Sequence, residues 1–321
     1  MQEHVDSPQG STGVTNAIET AATGTAARKR KRFLIIHNPI AGRNRIGLVQ
    51  EVVRRLEQAG AVADLHLVPD TASSDYATLS IDSYDVLVAS GGDGTARSMA
   101  SLLRGRDMPF GLIPVGTGNV LAEELQLPRA ADAIAEMLLH GPVVSLSTAS
   151  VNGAPCLLML GVGFDGEVIA RLPLELKRRI GKPSYGWPVL AALAHKPQTF
   201  SATIDGKECV ASWLVVANAA RYGGRFLLSP RTNVLSAGFN VVISHATSRR
   251  QRLWELFLLA AGRLERASTI EMMPAQTVDI PHAENLAVQI DGETIASPSF
   301  RIVADVARMP MIVPARTTAN G

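Results

Sequence analysis

Along the first part of the chain, short apolar runs alternate with stretches of helical periodicity. Phe33–His37 (FLIIH) reads as a buried strand ended by Asn38-Pro39-Ile40-Ala41-Gly42, and Leu48–Leu56 then puts Val49, Val52, Val53 and Leu56 on one helix face. Asp64–Val68 predicts a second strand, leading into a polar loop with Thr71, Ser73 and Ser74. The run Val86–Ala89 stops at Ser90-Gly91-Gly92-Asp93-Gly94-Thr95, after which Met99, Leu102 and Leu103 keep helical spacing. Phe110–Pro114 predicts a fourth strand, closed by Val115-Gly116-Thr117-Gly118-Asn119 and followed by a helix over Val120–Leu125. Strand, turn and helix in alternation predict an open parallel sheet whose strand ends share one edge, the edge where ligands bind.

Beyond about Gly141 the texture changes. Val143–Val151, Pro155–Leu160, Phe200–Ile204, Cys209–Ala217, Phe239–Ile243, Val278–Ile280, Ala287–Ile290 and Phe300–Val303 are short apolar or alternating segments with turn residues between them. They predict an antiparallel β domain. Two helical insertions interrupt it, Glu175–Ala194 and Arg249–Leu264, the second with a broad apolar surface from Leu253 to Leu259. That surface fits core packing, a slot for an acyl chain or contact with a membrane.

Composition narrows the class. The 321 residues suit two domains, and 46% hydrophobic with 19% charged residues is the balance of an ordinary globular protein. A formal net charge of +2 makes no global case for nucleic acid. Cys156 and Cys209 each sit in an apolar run and read as buried thiols. No apolar run approaches the roughly 20 residues that span a bilayer, and the N-terminus has no signal-peptide core, so a cytoplasmic location is expected. Met1–Ala27 reads as a disordered tail. The block Arg28-Lys29-Arg30-Lys31-Arg32 is either a contact for anionic headgroups or a solvated flank.

The glycine turns carry the chemistry. A strand, a glycine turn and a helix start present free N–H groups and a positive helix end, which hold phosphate. Asp93 is the odd member: a carboxylate in such a cradle must hold a metal, orient a hydroxyl, take a proton or cap the turn. The chain has no GxxxxGK[ST], no complete dinucleotide fingerprint, no HExxH, no CxxC pair and no GxSxG. The histidines, His37 and His195 among them, are scattered and read as structural or surface residues.

In order, Asn38–Gly42, Gly91–Thr95, Pro114–Asn119, Gly161-Val162-Gly163-Phe164-Asp165, Tyr222-Gly223-Gly224 with Ser229-Pro230, and Asp291-Gly292-Glu293 resemble the diacylglycerol kinase catalytic-domain family. These soluble lipid kinases include diacylglycerol, sphingosine and ceramide kinases, and the resemblance runs from about Arg32 to Val306. It implies an α/β plus β fold. A Rossmann-like open parallel-sheet nucleotide domain (33–142) would precede an antiparallel β-sandwich lipid-substrate domain (143–304), with a 305–321 segment packing back on the first. It implies ATP held by Asn38, Pro39, Gly42, Gly91, Gly92, Gly94, Thr95, Gly116, Thr117, Gly118 and Asn119, with Thr71 as a sugar or phosphate contact. It also implies catalysis by Asp93, Glu293 and Asp291, with Asp93 toward Mg²⁺ or the attacking hydroxyl and Glu293 as the proton acceptor. Asp165 ranks second, either supporting the network around Asp93 or capping a turn. Without the resemblance, Asp291-Gly292-Glu293 would read as a plain hairpin turn.

The resemblance thus implies an ATP- and Mg²⁺-dependent kinase of a diacylglycerol-like or sphingoid lipid, peripheral at a membrane surface and without a nucleic-acid partner. Oligomeric state stays open, a homodimer included. Two departures stand out. Ala237 occupies a place where many bacterial members carry a metal-binding aspartate, and Val120 stands where aspartate is common after the loop asparagine. The rival expectations are a soluble metabolite kinase of the NAD kinase or phosphofructokinase type, which shares a GGDG-type loop, and a lipid-binding protein without catalysis. NAD kinases usually show an Asn-Glu pair in the second domain; here Ala219 follows Asn218.

Overall fold

The computed structural model describes residues 30–40, 45–68, 80–172, 186–223, 226–230 and 232–315. The expected tail Met1–Ala27, Arg28 and Lys29, Ala41, Gly42, Thr71, Gly224 and the first part of the Glu175–Ala194 insertion lie outside the described residues.

The first half runs β1 (Arg32–His37), α1 (Ile46–Gln58), β2 (Val62–Leu67), β3 (Val86–Gly91), α2 (Asp93–Leu102), β4 (Phe110–Pro114), α3 (Val120–Glu124) and α4 (Ala131–His140). The four strands pair in parallel in the order β2-β1-β3-β4. Strand β3 is buried throughout because helices cover both faces of such a sheet, so its sequence is an unbroken apolar run instead of an alternation. The periodicity expected of α1 is observed, with Val49, Val52 and Leu56 buried. Helix α4 has no counterpart among the sequence expectations. Its C-terminus is held by Arg30, a buried residue whose guanidinium donates to Leu138 O (2.9 Å) and Gly141 O (2.8 Å). Arg30 is therefore neither a headgroup contact nor a solvated flank; it satisfies carbonyls at a helix end. Lys31 and Arg32 are exposed.

The second half runs β5 (Val143–Val151), β6 (Ala154–Cys156), β7 (Met159–Gly163), α5 (Phe164–Ala170), α6 (Gly186–Leu193), β8 (Phe200–Ile204), β9 (Lys207–Ala211), β10 (Trp213–Ala217), β11 (Arg221–Tyr222), β12 (Phe226–Leu227), β13 (Phe239–Ser244), α7 (Arg249–Ala260), β14 (Ile270–Ala275), β15 (Thr277–Ile280), β16 (Val288–Ile290), β17 (Glu293–Ile295) and β18 (Phe300–Ile312). One sheet has the order β14-β13-β10-β7-β16-β17 and faces strands of the other across a core that includes Leu160, Val162, Leu214, Val216, Val278 and Ile302. Alternate residues of β10, among them Trp213 and Val215, point into the second core instead.

Two expected strands are each broken in two. Pro155–Leu160 splits at Leu157-Leu158, whose N–H groups bond a side chain instead of a neighbouring strand. Cys209–Ala217 splits at Ser212, where the chain passes from one sheet to the other. The expected strand at Phe300–Val303 continues as β18 to Ile312, and this strand joins the halves. It pairs antiparallel with β5 along nearly its whole length, with β15 near its start, and in parallel with β4 at Met311.

Helix α7 is anchored by buried polar groups. Arg252 is enclosed by the rings of Phe164 and Trp213, each 5.2 Å from its guanidinium carbon. It donates to Glu255 (2.9 Å), Ser212 Oγ (2.8 Å) and Ser244 Oγ (3.2 Å). Glu255 in turn accepts from Ser244 and Thr269. Arg252→Ala should lower stability by about 3–5 kcal/mol because it strands the Glu255 charge. Arg252→Met with Glu255→Leu should recover most of that loss, and urea denaturation midpoints of the two variants would check both.

Candidate active site

The ends of β1, β3 and β4 converge as expected of an open parallel sheet, and the glycine loops meet there. Asn38 N–H donates to Ser90 O (3.0 Å), and the Asn38 side chain accepts from Ile40 N–H (2.9 Å), folding Asn38-Pro39 into a tight turn beside β3. Gly116 lies so close to Gly92 that a Cβ on it would overlap Gly92 Cα and come 2.7 Å from Asn119 Oδ1. Only glycine fits there, because the β3 and β4 loops touch through their backbones. Thr95 is buried against Gly91, while Thr117 and Gly118 are half-buried in the second loop.

Asp93 has a definite structural partner. It opens α2, yet its carboxylate reaches across to α3, accepting from Val120 N–H (3.0 Å) and Leu121 N–H (3.0 Å). Asn119 sits at the N-cap of α3 in left-handed conformation (φ 50°) without capping it; its amide donates to Gly116 O (2.7 Å) instead. Asp93 supplies the acceptor that the N-cap residue withholds. The bond to residue 120 is through its backbone, so valine serves there. Two features leave the loops open to a ligand. The N-cap of α2, Gly92, makes no side-chain cap, and Asn119 Oδ1 is buried without a partner. A buried acceptor without a donor, next to an uncapped helix N-terminus, fits a ligand that carries both phosphate and N–H or O–H groups.

Glu293 arrives from the other sheet. It opens β17 after the turn Asp291-Gly292, and its carboxylate pairs with Arg97, one turn beyond Asp93 on α2. It also packs on Gly94, where a Cβ would collide with Glu293 Oε1. About half of the Glu293 side chain is exposed to solvent. Glu293, two hundred positions from Asp93 in the sequence, thus packs on the residue that follows Asp93.

Asp291 and Asp165 do different work. The Asp291 carboxylate accepts from Leu157, Leu158 and Met159 N–H at 2.9, 2.8 and 3.0 Å, is buried, and so fixes the break between β6 and β7. Burial raises its carboxyl above the ordinary value against the pull of those donors. Asp165, also buried, accepts from the Tyr222 hydroxyl and from Gln289 Nε2 (2.6 Å). Gln289 Oε1 accepts from Gly292 N–H (2.7 Å), inside the turn that carries Glu293. Asp165 therefore supports the Glu293 turn through Gln289. Burial raises its carboxyl as well.

Four contributors escaped the sequence reading: Arg97, Glu124, Tyr222 as a hydroxyl donor, and Gln289. Glu124, at the end of α3, accepts from Arg221 N–H (2.6 Å) and so ties α3 to the strand bearing Tyr222. Of the four, only Arg97 had a local signal, since it lies four residues after Asp93 on one helix face. His37 is buried and bonds Ser90 Oγ through Nδ1 (2.9 Å), in keeping with a structural role.

Asp93→Asn should lower stability by about 1–2 kcal/mol, because an amide offers one acceptor where two N–H groups need one each. A fall of that size in the unfolding free energy from urea denaturation, with the far-ultraviolet circular dichroism otherwise unchanged, is the expected result.

Comparison with known proteins places this geometry. The family model "Diacylglycerol kinase catalytic domain" matches residues 32–151, and "YegS C-terminal NAD kinase beta sandwich-like domain" matches residues 159–314. A diacylglycerol kinase of Bacillus subtilis is 26% identical over 280 residues, covering 82% of this chain and 90% of that protein. An uncharacterized protein of Synechocystis is 30% identical over 195 residues, 59% of this chain but 39% of its own length. A crystal structure of a diacylglycerol kinase from Bacillus anthracis superposes with a TM-score of 0.70 at 21% identity, covering 89% of this chain and 98% of that one, which establishes the shared fold. The two matched models follow one another along nearly the whole described chain, and the chain belongs to the diacylglycerol kinase catalytic-domain family of kinases.

Proposed function

We propose that the protein transfers the γ-phosphoryl group of ATP to a hydroxyl of a diacylglycerol-like or sphingoid lipid. The observation that carries this reading is the placement of Glu293 against Gly94, in the uncapped first turn of α2 and adjacent to Asp93 in the chain. Phosphoryl transfer asks a protein for positioning and charge compensation more than for covalent chemistry. The loops at Asn38–Pro39, Gly91–Thr95 and Gly116–Asn119 supply the positioning. Backbone N–H groups at the start of α2 receive phosphate oxygens, and Asn119 Oδ1 accepts from the nucleoside.

Magnesium ions are usually bound through one or two carboxylates completed by phosphate oxygens and water, so Asp93 alone suits that part. Each carboxylate oxygen can accept more than one bond. Bound there, Mg²⁺ would offset charge on the phosphate oxygens.

Glu293 then acts as general base. Its carboxylate takes the proton of the lipid hydroxyl as the hydroxyl oxygen forms its bond to the γ-phosphorus and the bond to the β–γ bridging oxygen breaks, leaving ADP. Arg97 holds Glu293 over Gly94 before substrate arrives. Asp291 and Asp165 are positioning residues in this scheme, Asp291 through the 157–159 backbone and Asp165 through Gln289 and Gly292.

Glu293→Gln should lower kcat by roughly 10²–10⁴-fold with little change in ATP affinity. Gln289→Leu should lower kcat by up to roughly 100-fold through displacement of the turn, while ATP affinity stays the same. Transfer of labelled phosphate from ATP to a total lipid extract, followed by mass spectrometry of the products, tests the reaction and identifies the lipid. Full activity of Glu293→Gln would overturn the role given to that residue; no transfer to any lipid would overturn the reaction itself.

A further inference from the structure

Helix α7 is turned inside out relative to a helix on an aqueous surface. Its inward face buries Arg252 and Glu255 along with Leu258 and Leu259, while Leu253, Trp254 and Phe257 are 59%, 54% and 60% exposed. Trp254 and Phe257 stack on one another in the open, with ring centroids 5.3 Å apart. Neighbouring α6 adds exposed Trp187 and Leu190, and β12 adds exposed Phe226; both elements contact α7. More than half of the large apolar side chains exposed among the described residues therefore gather on this one face.

The charges follow a second unusual pattern. Arg249 and Arg250 occupy the first turn of α7 and are exposed, although the positive end of a helix favours acids there. The Ser248–Gln251 capping box secures the helix start in spite of them. Just beyond the helix Arg263, Glu265 and Arg266 are exposed, and no carboxylate is exposed on α7 itself. Two local choices that each cost stability, apolar groups in water and cations at the wrong helix end, agree only if something apolar and anionic covers the face.

We infer that the outer face of α7, extended by α6 and Phe226, docks on the surface of an anionic lipid bilayer. Tryptophan and phenylalanine flanked by arginine match the level of the headgroups, where rings enter the acyl boundary and guanidinium groups meet phosphate. A second copy of the chain is a poorer occupant, because α7 offers no exposed carboxylate to meet the arginines of a partner. The surface is also continuous with the active site. Phe226 pairs across the β11–β12 hairpin with Tyr222, whose hydroxyl bonds Asp165, the residue that supports the Glu293 turn. Docking on this face would bring a lipid held in the bilayer within one hairpin of the base. The inference deepens the lipid-kinase reading and rests on it for its purpose, yet docking itself is measured without catalysis.

The test is co-sedimentation of the full chain with vesicles of phosphatidylcholine alone or enriched in phosphatidylglycerol. The unaltered protein should bind the anionic vesicles, and Trp254→Ala with Phe257→Ala should weaken binding by roughly tenfold or more. Arg249→Gln with Arg250→Gln should weaken it by about fivefold per charge and reduce its sensitivity to salt. The arginine pair is fully on the surface, so it carries the test should the aromatic pair alter the urea midpoint. Unchanged vesicle binding in the arginine variant, or in a stably folded aromatic variant, overturns the inference. So does a dimer that the aromatic variant converts to monomer with vesicle binding intact, which assigns the face to a second copy. Vesicle binding without phosphate transfer to any lipid counts against the kinase reading alone.

Discussion

The bond between the Asp93 carboxylate and the first two N–H groups of α3 is the constraint on which the site depends. It joins the loop after β3 to the loop after β4, alongside the Gly116 N–H that donates to Gly91 O (3.1 Å). A helix this short has little stability of its own, so its position is set by whatever satisfies its ends. At its start that is Asp93; at its other end Glu124 binds the backbone of Arg221. From Arg221 the chain of contacts runs through Tyr222, Asp165, Gln289 and Gly292 to Glu293, which returns to Arg97 and Gly94. Asp93 and Glu293 are thus linked by a short route along α2 through Arg97 and by a long one through α3, β11 and Gln289. Such a circuit holds the two carboxylates in place relative to one another.

Much of this was legible in the sequence, for identifiable reasons. Strands β1, β3 and β4 announce themselves as apolar runs, and the loops after β3 and β4 as glycine clusters, because parallel strands are buried on both faces and ligand loops need close backbone approach. Glu293 could be placed opposite Asp93 only through resemblance; by itself Asp-Gly-Glu is a turn. What the residues could not disclose was who bonds to whom across long separations. Asp291 reads as a turn or catalytic residue, yet its carboxylate is taken up by N–H groups more than a hundred and thirty positions earlier. The roles of Gln289 and Tyr222 depend on Asp165, which no local pattern connects to either. Helix α4 escaped notice because its N-cap is Ala130, which offers no side-chain cap and no turn signal.

Helix α7 departs from the usual amphipathic pattern. Its sequence, RRQRLWELFLLA, has apolar residues on nearly every side, and that breadth usually means core. Here it means that both faces carry apolar groups while the buried face also holds an arginine–glutamate pair, enclosed by two aromatic rings. Periodicity identifies a face; it does not say which face looks inward.

The position of β18 has a consequence for how the molecule is made. Strand β18, the last among the described residues, is not at an edge: it lies between β4 and β15 and along β5. While the ribosome is still producing the β-sandwich, β4 presents an open row of N–H and C=O groups, the kind of edge that recruits foreign strands. The first half therefore leaves its sheet open at β4 until β18 has been made. Such a fold ties the completion of that sheet to a strand that follows the β-sandwich in the chain, so the two halves mature together.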